Sequence, residues 1–269
     1  MDQKSLAQRL EHLPLGEIRF FETIDSTNQQ AAVWAQEGAP DLSLVIADEQ
    51  SQGRGRSGRK WFTYRGSALA FTLILRPNPF EEQATAALPR ITGLGALAVC
   101  RTLQKQHDLP AQIKWPNDVL IHRRKCCGIL TEANWAGSQL TAIFLGIGIN
   151  VATHSVPPAR VLNFPATSLE GELHTPLDRL ALLEGILGEI LHWRRNLATR
   201  AFIRTWEACL AFRNEVIQVT FPEDIALEGV LLGLGPHGAL RLLTSQGKEI
   251  TLHHGEITAL RGKNPPPSR

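Results

Sequence analysis

Four cysteines in 269 residues, Cys100, Cys126, Cys127 and Cys209, show no C-x-x-C spacing. That argues against a structural zinc site and for reduced thiols. Nine histidines occur without H-E-x-x-H, and the one adjacent pair, His253-His254, would face opposite ways on a strand. We read them as surface residues. No apolar run reaches the ~18 residues of a membrane span, and no apolar segment follows a basic N-terminus. The expectation is a cytoplasmic chain without a membrane partner. Net charge is small, at +2, and Tyr64 is the sole tyrosine. Both speak against a protein that coats nucleic acid, which needs spread basic charge with interleaved aromatics. A content of 43% hydrophobic and 20% charged residues fits a globular chain, long enough for one large domain or one plus a small one.

The positive charge that exists is local. Residues 53–60 read Gly-Arg-Gly-Arg-Ser-Gly-Arg-Lys, with Trp61 next, so Arg54, Arg56, Arg59 and Lys60 fall within seven positions. Such a stretch repels itself and lacks side chains to pack, so it is expected to be loose when empty and ordered around an anion. Glycine-freed N–H groups and guanidinium forks suit a phosphate or carboxylate. The spacing Gly53, Gly55, Gly58 spells G-x-G-x-x-G, but Trp61-Phe62-Thr63-Tyr64-Arg65-Gly66 does not open a helix and no acid follows about 20 residues on. No V-A-I-K, H-R-D or D-F-G follows either, which removes a kinase glycine loop.

Strands are expected at 17–22, 42–48, 67–76, 112–115, 119–121, 125–133 and 140–151, the last two joined by Ala136-Gly137-Ser138. Helices are expected at 27–37, capped around Asp25-Ser26-Thr27 and stopped by Gly38, and at 84–107. Gly93-Leu94-Gly95 inside the second points to close helix packing. A proline-bearing loop covers 152–166. Thr175-Pro176 is expected to open a helix whose Leu177, Leu180, Leu183, Leu187, Ile190 and Leu191 share a face, and a last helix spans about 198–211. From Asn214 the texture turns to short β segments, EVIQVTF, ALEGVLLGL, ALRLLT, EITL and ITAL. The expected organisation is an α+β unit over 1–212, with a mixed sheet and flanking helices. A small β-barrel over 213–262 and a disordered tail over 263–269 follow it.

Five segments stand out: Asp25-Ser26-Thr27-Asn28, the loop from Gln50 to Trp61, Lys114-Trp115-Pro116-Asn117-Asp118, Arg124 to Leu130, and Gly146-Ile147-Gly148-Ile149-Asn150. In order and spacing, from about residue 18 to 262, they resemble the catalytic module of biotin protein ligases. GRGRSGRKW with KWPND is the specific part. The resemblance implies the biotin–lipoate ligase fold, akin to class II aminoacyl-tRNA synthetases, with an SH3-like C-terminal module. It also implies a two-step reaction: biotin and MgATP give biotinyl-5′-AMP and pyrophosphate. Biotin then passes to a lysine of the biotin carboxyl carrier domain of acetyl-CoA carboxylase. Both steps need fixed positive charge at an acyl-phosphate centre.

Carried over by position, Ser26, Thr27, Asn28, Gln50, Gly53, Arg54, Gly55, Arg56 and Lys125 would bind biotin. The ureido ring wants hydroxyl and amide partners rather than charges. Arg54, Arg56, Arg59, Trp61, Asn117 and Asn150 would serve ATP. Lys125, Arg56 and Asp118 would be catalytic, Asp118 as a magnesium ligand or as the carboxylate that orients a lysine. Taken singly, Ser26 and Thr27 also read as a helix cap, Asp118 as a turn residue, Lys125 as part of a solvated basic run, Trp115 as core and Asn150 as a strand end. Cys126-Cys127 depart from the family pattern. One thiol could line the site with a lowered pKa, but two small buried hydrophobes is the preferred reading. Sixteen residues before the first strand leave no room for a helix-turn-helix, so no DNA partner is expected; a homodimer stays open. The competing readings are a lipoate or octanoate ligase, which should lack the R-G-R loop and Gln50, and a non-catalytic nucleic-acid-binding protein.

Overall fold

The computed structural model describes residues 1–77, 84–162, 164–221 and 225–258. Seven strands form one sheet: β1 Ile18–Ile24, β2 Ser43–Gln50, β3 Ala68–Leu75, β4 Ala111–Lys114, β5 Asp118–Ile121, β6 Arg124–Ala136 and β7 Gln139–Asn150. Their spatial order is β1-β2-β3-β7-β6-β5-β4. β1 and β2 run parallel and the other neighbours antiparallel, so the sheet is mixed, as expected. The two-residue Gly137-Ser138 turn closes the β6–β7 hairpin, with Gly137 at φ 61°.

Helices α1 Gln3–Leu10, α2 Thr27–Gln36, α3 Ala84–His107, α4 Leu169–Leu173, α5 Arg179–Arg194 and α6 Arg200–Ala208 complete this part. Period-two alternation splits the central strands between two cores. Leu44, Ile46, Leu73 and Leu145 face the large core with α3, α5 and α6, whereas Val45, Ile74 and Phe144 face Ala31, Trp34 and Ala35 of α2. The close packing expected at Gly93 and Gly95 is present. A Cβ at 93 would run into the Trp206 ring of α6, and one at 95 would lie 2.9 Å from Leu145.

One expectation changes. The helix expected from Thr175-Pro176 begins at Arg179, because the Asp178 carboxylate accepts the Leu180 N–H at 2.8 Å and becomes the cap. The Leu177 N–H is drawn instead to Glu170 at 3.1 Å, which keeps the link out of the helix. Short α4 had no anticipated counterpart.

The C-terminal strands are β8 Val216–Thr220, β9 Ala226–Leu234, β10 Leu240–Leu243, β11 Glu249–Leu252 and β12 Glu256–Thr258, in the order β11-β10-β9-β8-β12, all antiparallel. Trp115 ties the two sheets by donating its indole N–H to the Gly238 carbonyl at 2.9 Å, which makes it core, as one reading had it. The tail over 263–269 and the last residues of ITAL lie outside the described residues. No helix among the described residues is long and apolar enough to cross a membrane.

Candidate functional site

Four of the five segments meet where β2 and β7 end and β5 and β6 begin, around one cavity. The fifth, Asp25 to Asn28, enters it as the first turn of α2.

The inner end is neutral and hydroxyl-rich. Ser26 holds the N-cap position of α2 but makes no capping hydrogen bond. Its buried hydroxyl therefore faces the cavity unspent, which sets aside the plain-cap reading. Gln50 Oε1 accepts both the Thr27 N–H at 2.9 Å and the Thr27 hydroxyl at 3.2 Å, and its Nε2 donates to Thr63 Oγ1 at 2.9 Å. One Nε2–H is left for a ligand. Asn28 lines the cavity but is held by protein. Its Oδ1 accepts from Thr72 at 2.6 Å, and its Nδ2 donates to the Leu130 carbonyl at 3.2 Å and to Glu132 at 2.7 Å. Glycine at 146 is what admits this amide, since a Cβ there would overlap it.

The basic loop differs from the loose segment expected. Its backbone closes as a ladder: Gln50 N–H to Thr63 O at 3.2 Å, Trp61 N–H to Gly53 O at 2.8 Å and Gly55 N–H to Arg59 O at 2.7 Å. Backbone pairing supplies the order that side-chain packing could not. The three arginines then reach three different walls. Arg54 pairs with Glu132 of β6 at 2.9 Å, Arg56 donates to Asn117 at 3.1 Å, and Arg59 makes a two-pronged pair with Glu256 of β12. Burial lowers the Arg56 pKa, with Glu256 and Asp118 pulling the other way. Trp61 lies over Gly148 and Gly128, where a Cβ at 148 would strike the indole. Its Nε1 has no hydrogen-bond partner among the described residues.

The charged end is built on Asp118. Lys125 Nζ lies 2.6 Å from its Oδ1 and Lys114 Nζ 3.2 Å from its Oδ2. Burial alone would raise the Asp118 pKa, and the two ammonium groups outweigh it, so the carboxyl sits below its ordinary value. Lys114 is itself buried, over the Phe164 ring at 4.3 Å and 3.8 Å from Glu256. Lys125 is not part of a solvated run. Its backbone is pinned on both sides by Pro165 O at 2.7 Å and the Thr167 N–H at 2.9 Å, while Arg123 and Arg124 turn away to Glu215 and Glu172. Asn117 donates to the Ile129 carbonyl at 2.9 Å and Asn150 to that of Thr167 at 3.1 Å.

Both Asp118 oxygens lie within 3.2 Å of an ammonium nitrogen, and although Oδ1 makes no aligned hydrogen bond, this crowding of positive charge disfavours a magnesium ion there. Among the described residues no cluster of three or more candidate ligands stands elsewhere. The lysine-orienting alternative is the one this geometry accommodates. The idea of an activated thiol beside Lys125 is also set aside. Cys126 and Cys127 are fully buried outside the cavity lining, and burial pushes both thiols well up.

The sequence reading overlooked Lys114, Thr63, Thr72, Glu132 and Glu256. Thr72 had a signal, a polar residue inside an apolar strand, whereas Glu132 stands in a strand that also carries Thr131 and Asn134. Lys114 heads a segment already singled out. Glu256 had none.

Residues 20–150 match the sequence profile of the Biotin/lipoate A/B protein ligase family. The bifunctional ligase/repressor BirA of Bacillus spizizenii is 33% identical over 235 residues, covering 84% of this chain and 69% of that protein. The biotin–[acetyl-CoA-carboxylase] ligase of Paracoccus denitrificans is 32% identical over 234 residues, covering 84% and 94%. The Aquifex aeolicus biotin protein ligase, solved in complex with biotin and ATP, superposes with a TM-score of 0.76 at 26% identity, over 90% of this chain and 97% of that one. With the loop, the Asp118-bound lysines and the neutral inner end in place, the chain belongs to the biotin/lipoate A/B protein ligase family.

Proposed function

We propose that this protein joins biotin to ATP as biotinyl-5′-AMP, releasing pyrophosphate, and transfers the biotinyl group to one lysine of a carboxylase's biotin carrier domain. One observation carries the reading: a pocket that is neutral and hydroxyl-rich at one end and lined at the other by the Lys125 ammonium and the Arg56 guanidinium. A ureido ring is recognised by Ser26 and the free N–H of Gln50, not by charge. Its valeryl arm then points the carboxylate toward Lys125. There the carboxylate oxygen attacks the α-phosphorus of ATP and the bond to pyrophosphate breaks. Lys125 and Arg56 offset the charge that gathers on the phosphoryl oxygens. Asp118 holds the Lys125 ammonium in place. In the second step the carrier lysine, as the free amine, attacks the acyl carbonyl and AMP leaves. Trp61, Asn117 and Asn150 are assigned to the nucleotide, and Arg59 would reach it only by leaving Glu256. Magnesium belongs with the phosphates of MgATP, since such sites are commonly completed by substrate oxygens and water.

Residues 1–212 would form the catalytic unit and 213–262 the accessory β module, in a cytoplasmic enzyme. The relatives' names support biotin as substrate and a carboxylase as acceptor. The test is pyrophosphate exchange into ATP with biotin, lipoate or octanoate as the sole acid. Exchange with biotin alone is the expected result. Exchange with lipoate or octanoate and not biotin would overturn it.

A further inference from the structure

We propose that Glu132 is a positioning residue that latches the basic loop onto the pocket's inner wall through Arg54. Glu132 lies on β6 two places beyond Leu130 and four beyond Gly128, on the face that lines the cavity. One oxygen, Oε2, accepts from both Arg54 Nη2 at 2.9 Å and Asn28 Nδ2 at 2.7 Å. The two donors differ in kind. Asn28 is fixed, its amide also bound to Thr72 and to the Leu130 carbonyl. Arg54 stands in the loop, within the ladder and opposite Lys60. Glu132 therefore has one rigid partner and one on the basic loop that lines the cavity.

The pairing also divides the loop's charges. Arg54 is spent on Glu132, while Arg56, with no carboxylate within ion-pair distance among the described residues, keeps its charge for a ligand. Arg54 is thus a strut, and the sequence-based assignment of its side chain to ATP is replaced. This contact accounts for a charged residue at 132, between Thr131 and Ala133 of β6. An uncharged Gln would keep the bond to Asn28 and lose the ionic pull on Arg54.

The latch needs no ligand to be tested, although its role in retaining an adenylate rests on the function proposed above. Amide hydrogen exchange is followed in the free full-length protein across residues 51–62, which contain the ladder N–H groups of Gly55 and Trp61. Glu132→Gln is expected to speed exchange there by about twofold to fivefold, the scale of a half-exposed ion pair. Arg54→Gln should do the same, and the double variant no more than either. Unchanged exchange in Glu132→Gln, or a further equal rise when it is added to Arg54→Gln, would overturn the latch. So would a lowered melting temperature without faster loop exchange, the mark of a merely structural residue. If Glu132→Gln fails to fold, Arg54→Gln alone decides, since its loop must still exchange faster. Biotinyl-5′-AMP release, measured in parallel, should quicken by a similar factor. A wild type that forms no adenylate would end the function proposal and leave the exchange result standing.

Discussion

Arg56 Nη1 donates to Asn117 Oδ1 at 3.1 Å, while Arg54 and Arg59 on either side of it meet carboxylates. Asn117 can orient a guanidinium but cannot neutralise it, and its own Nδ2 is anchored on Ile129. Arg56 is thus a positive charge aimed into the pocket and partly stripped of water. Replacing it should loosen the adenylate rather than the fold. A charge-assisted hydrogen bond is worth about 1.5–3 kcal/mol, so Arg56→Gln should speed adenylate escape about tenfold to hundredfold. Stopped-flow release of biotinyl-5′-AMP reads this directly, and indiscriminate lysine labelling should accompany it. Escape at the wild-type rate would remove Arg56 from the role.

Lys125 should behave differently. Its backbone is held between Pro165 and Thr167 and its ammonium by Asp118, so it is already in place before charge develops. Loss of one preorganised donor costs about 10²–10³ in rate. Lys125→Ala should lower biotin-dependent pyrophosphate exchange by that factor. Exchange within a few-fold of wild type would show that Lys114 or Arg56 carries the charge instead.

The thiols give a negative expectation. With burial raising both Cys126 and Cys127, native protein should resist iodoacetamide at pH 8 and react only as it unfolds. Mass spectrometry of short-exposure samples with and without urea would show labelling at these two positions in urea alone. Fast labelling of either in native protein would return a thiol to the site.

Much of this was legible because local patterns coincide with local structure. In SALAFTLILR, Leu69, Phe71, Leu73 and Leu75 face the large core and Ile74 the smaller one, and Gly93 and Gly95 mark where α3 is approached closely. The motif segments were found because each lies within a few residues of a strand end or helix start. Glu256 was not legible, because it reaches Arg59 across 197 positions and sits in a module with no motif of its own. The ladder inside the loop was missed for another reason. Its bonds are made by backbone, and four crowded cations predict repulsion unless one knows that Glu132 and Glu256 stand opposite two of them.

Asp118 sets a pH dependence. Its folded pKa is depressed, so its contribution to stability is complete above the unfolded carboxylate value of about 4 and is lost as pH falls through the lower folded value. Asp118→Asn leaves two ammonium groups around a neutral amide, which should cost about 3 kcal/mol near neutral pH. Urea midpoints of the two proteins should therefore differ most above the unfolded carboxylate value and draw together only as pH falls through the lower folded one. A gap that stays constant with pH would mean that the carboxylate is protonated throughout, against the ion pairs seen.

Gly146 and Gly148 stand two residues apart on β7 and point the same way, yet they admit different neighbours. A methyl at 146 would overlap the Asn28 amide, and one at 148 the Trp61 indole. Asn28 belongs to the biotin end with Ser26 and Gln50, whereas Trp61 is assigned to the nucleotide. Overpacking costs about 1–3 kcal/mol, roughly fivefold to hundredfold in an equilibrium constant. Gly146→Ala should place most of that on the KM for biotin, and Gly148→Ala most of it on the KM for ATP. Calorimetric titration of each variant with biotin alone separates the two, since only Gly146→Ala should show the loss before nucleotide is added. If both variants weakened biotin equally, Trp61 would belong to the biotin wall and the division of the pocket into a neutral acid end and a nucleotide end would have to be redrawn.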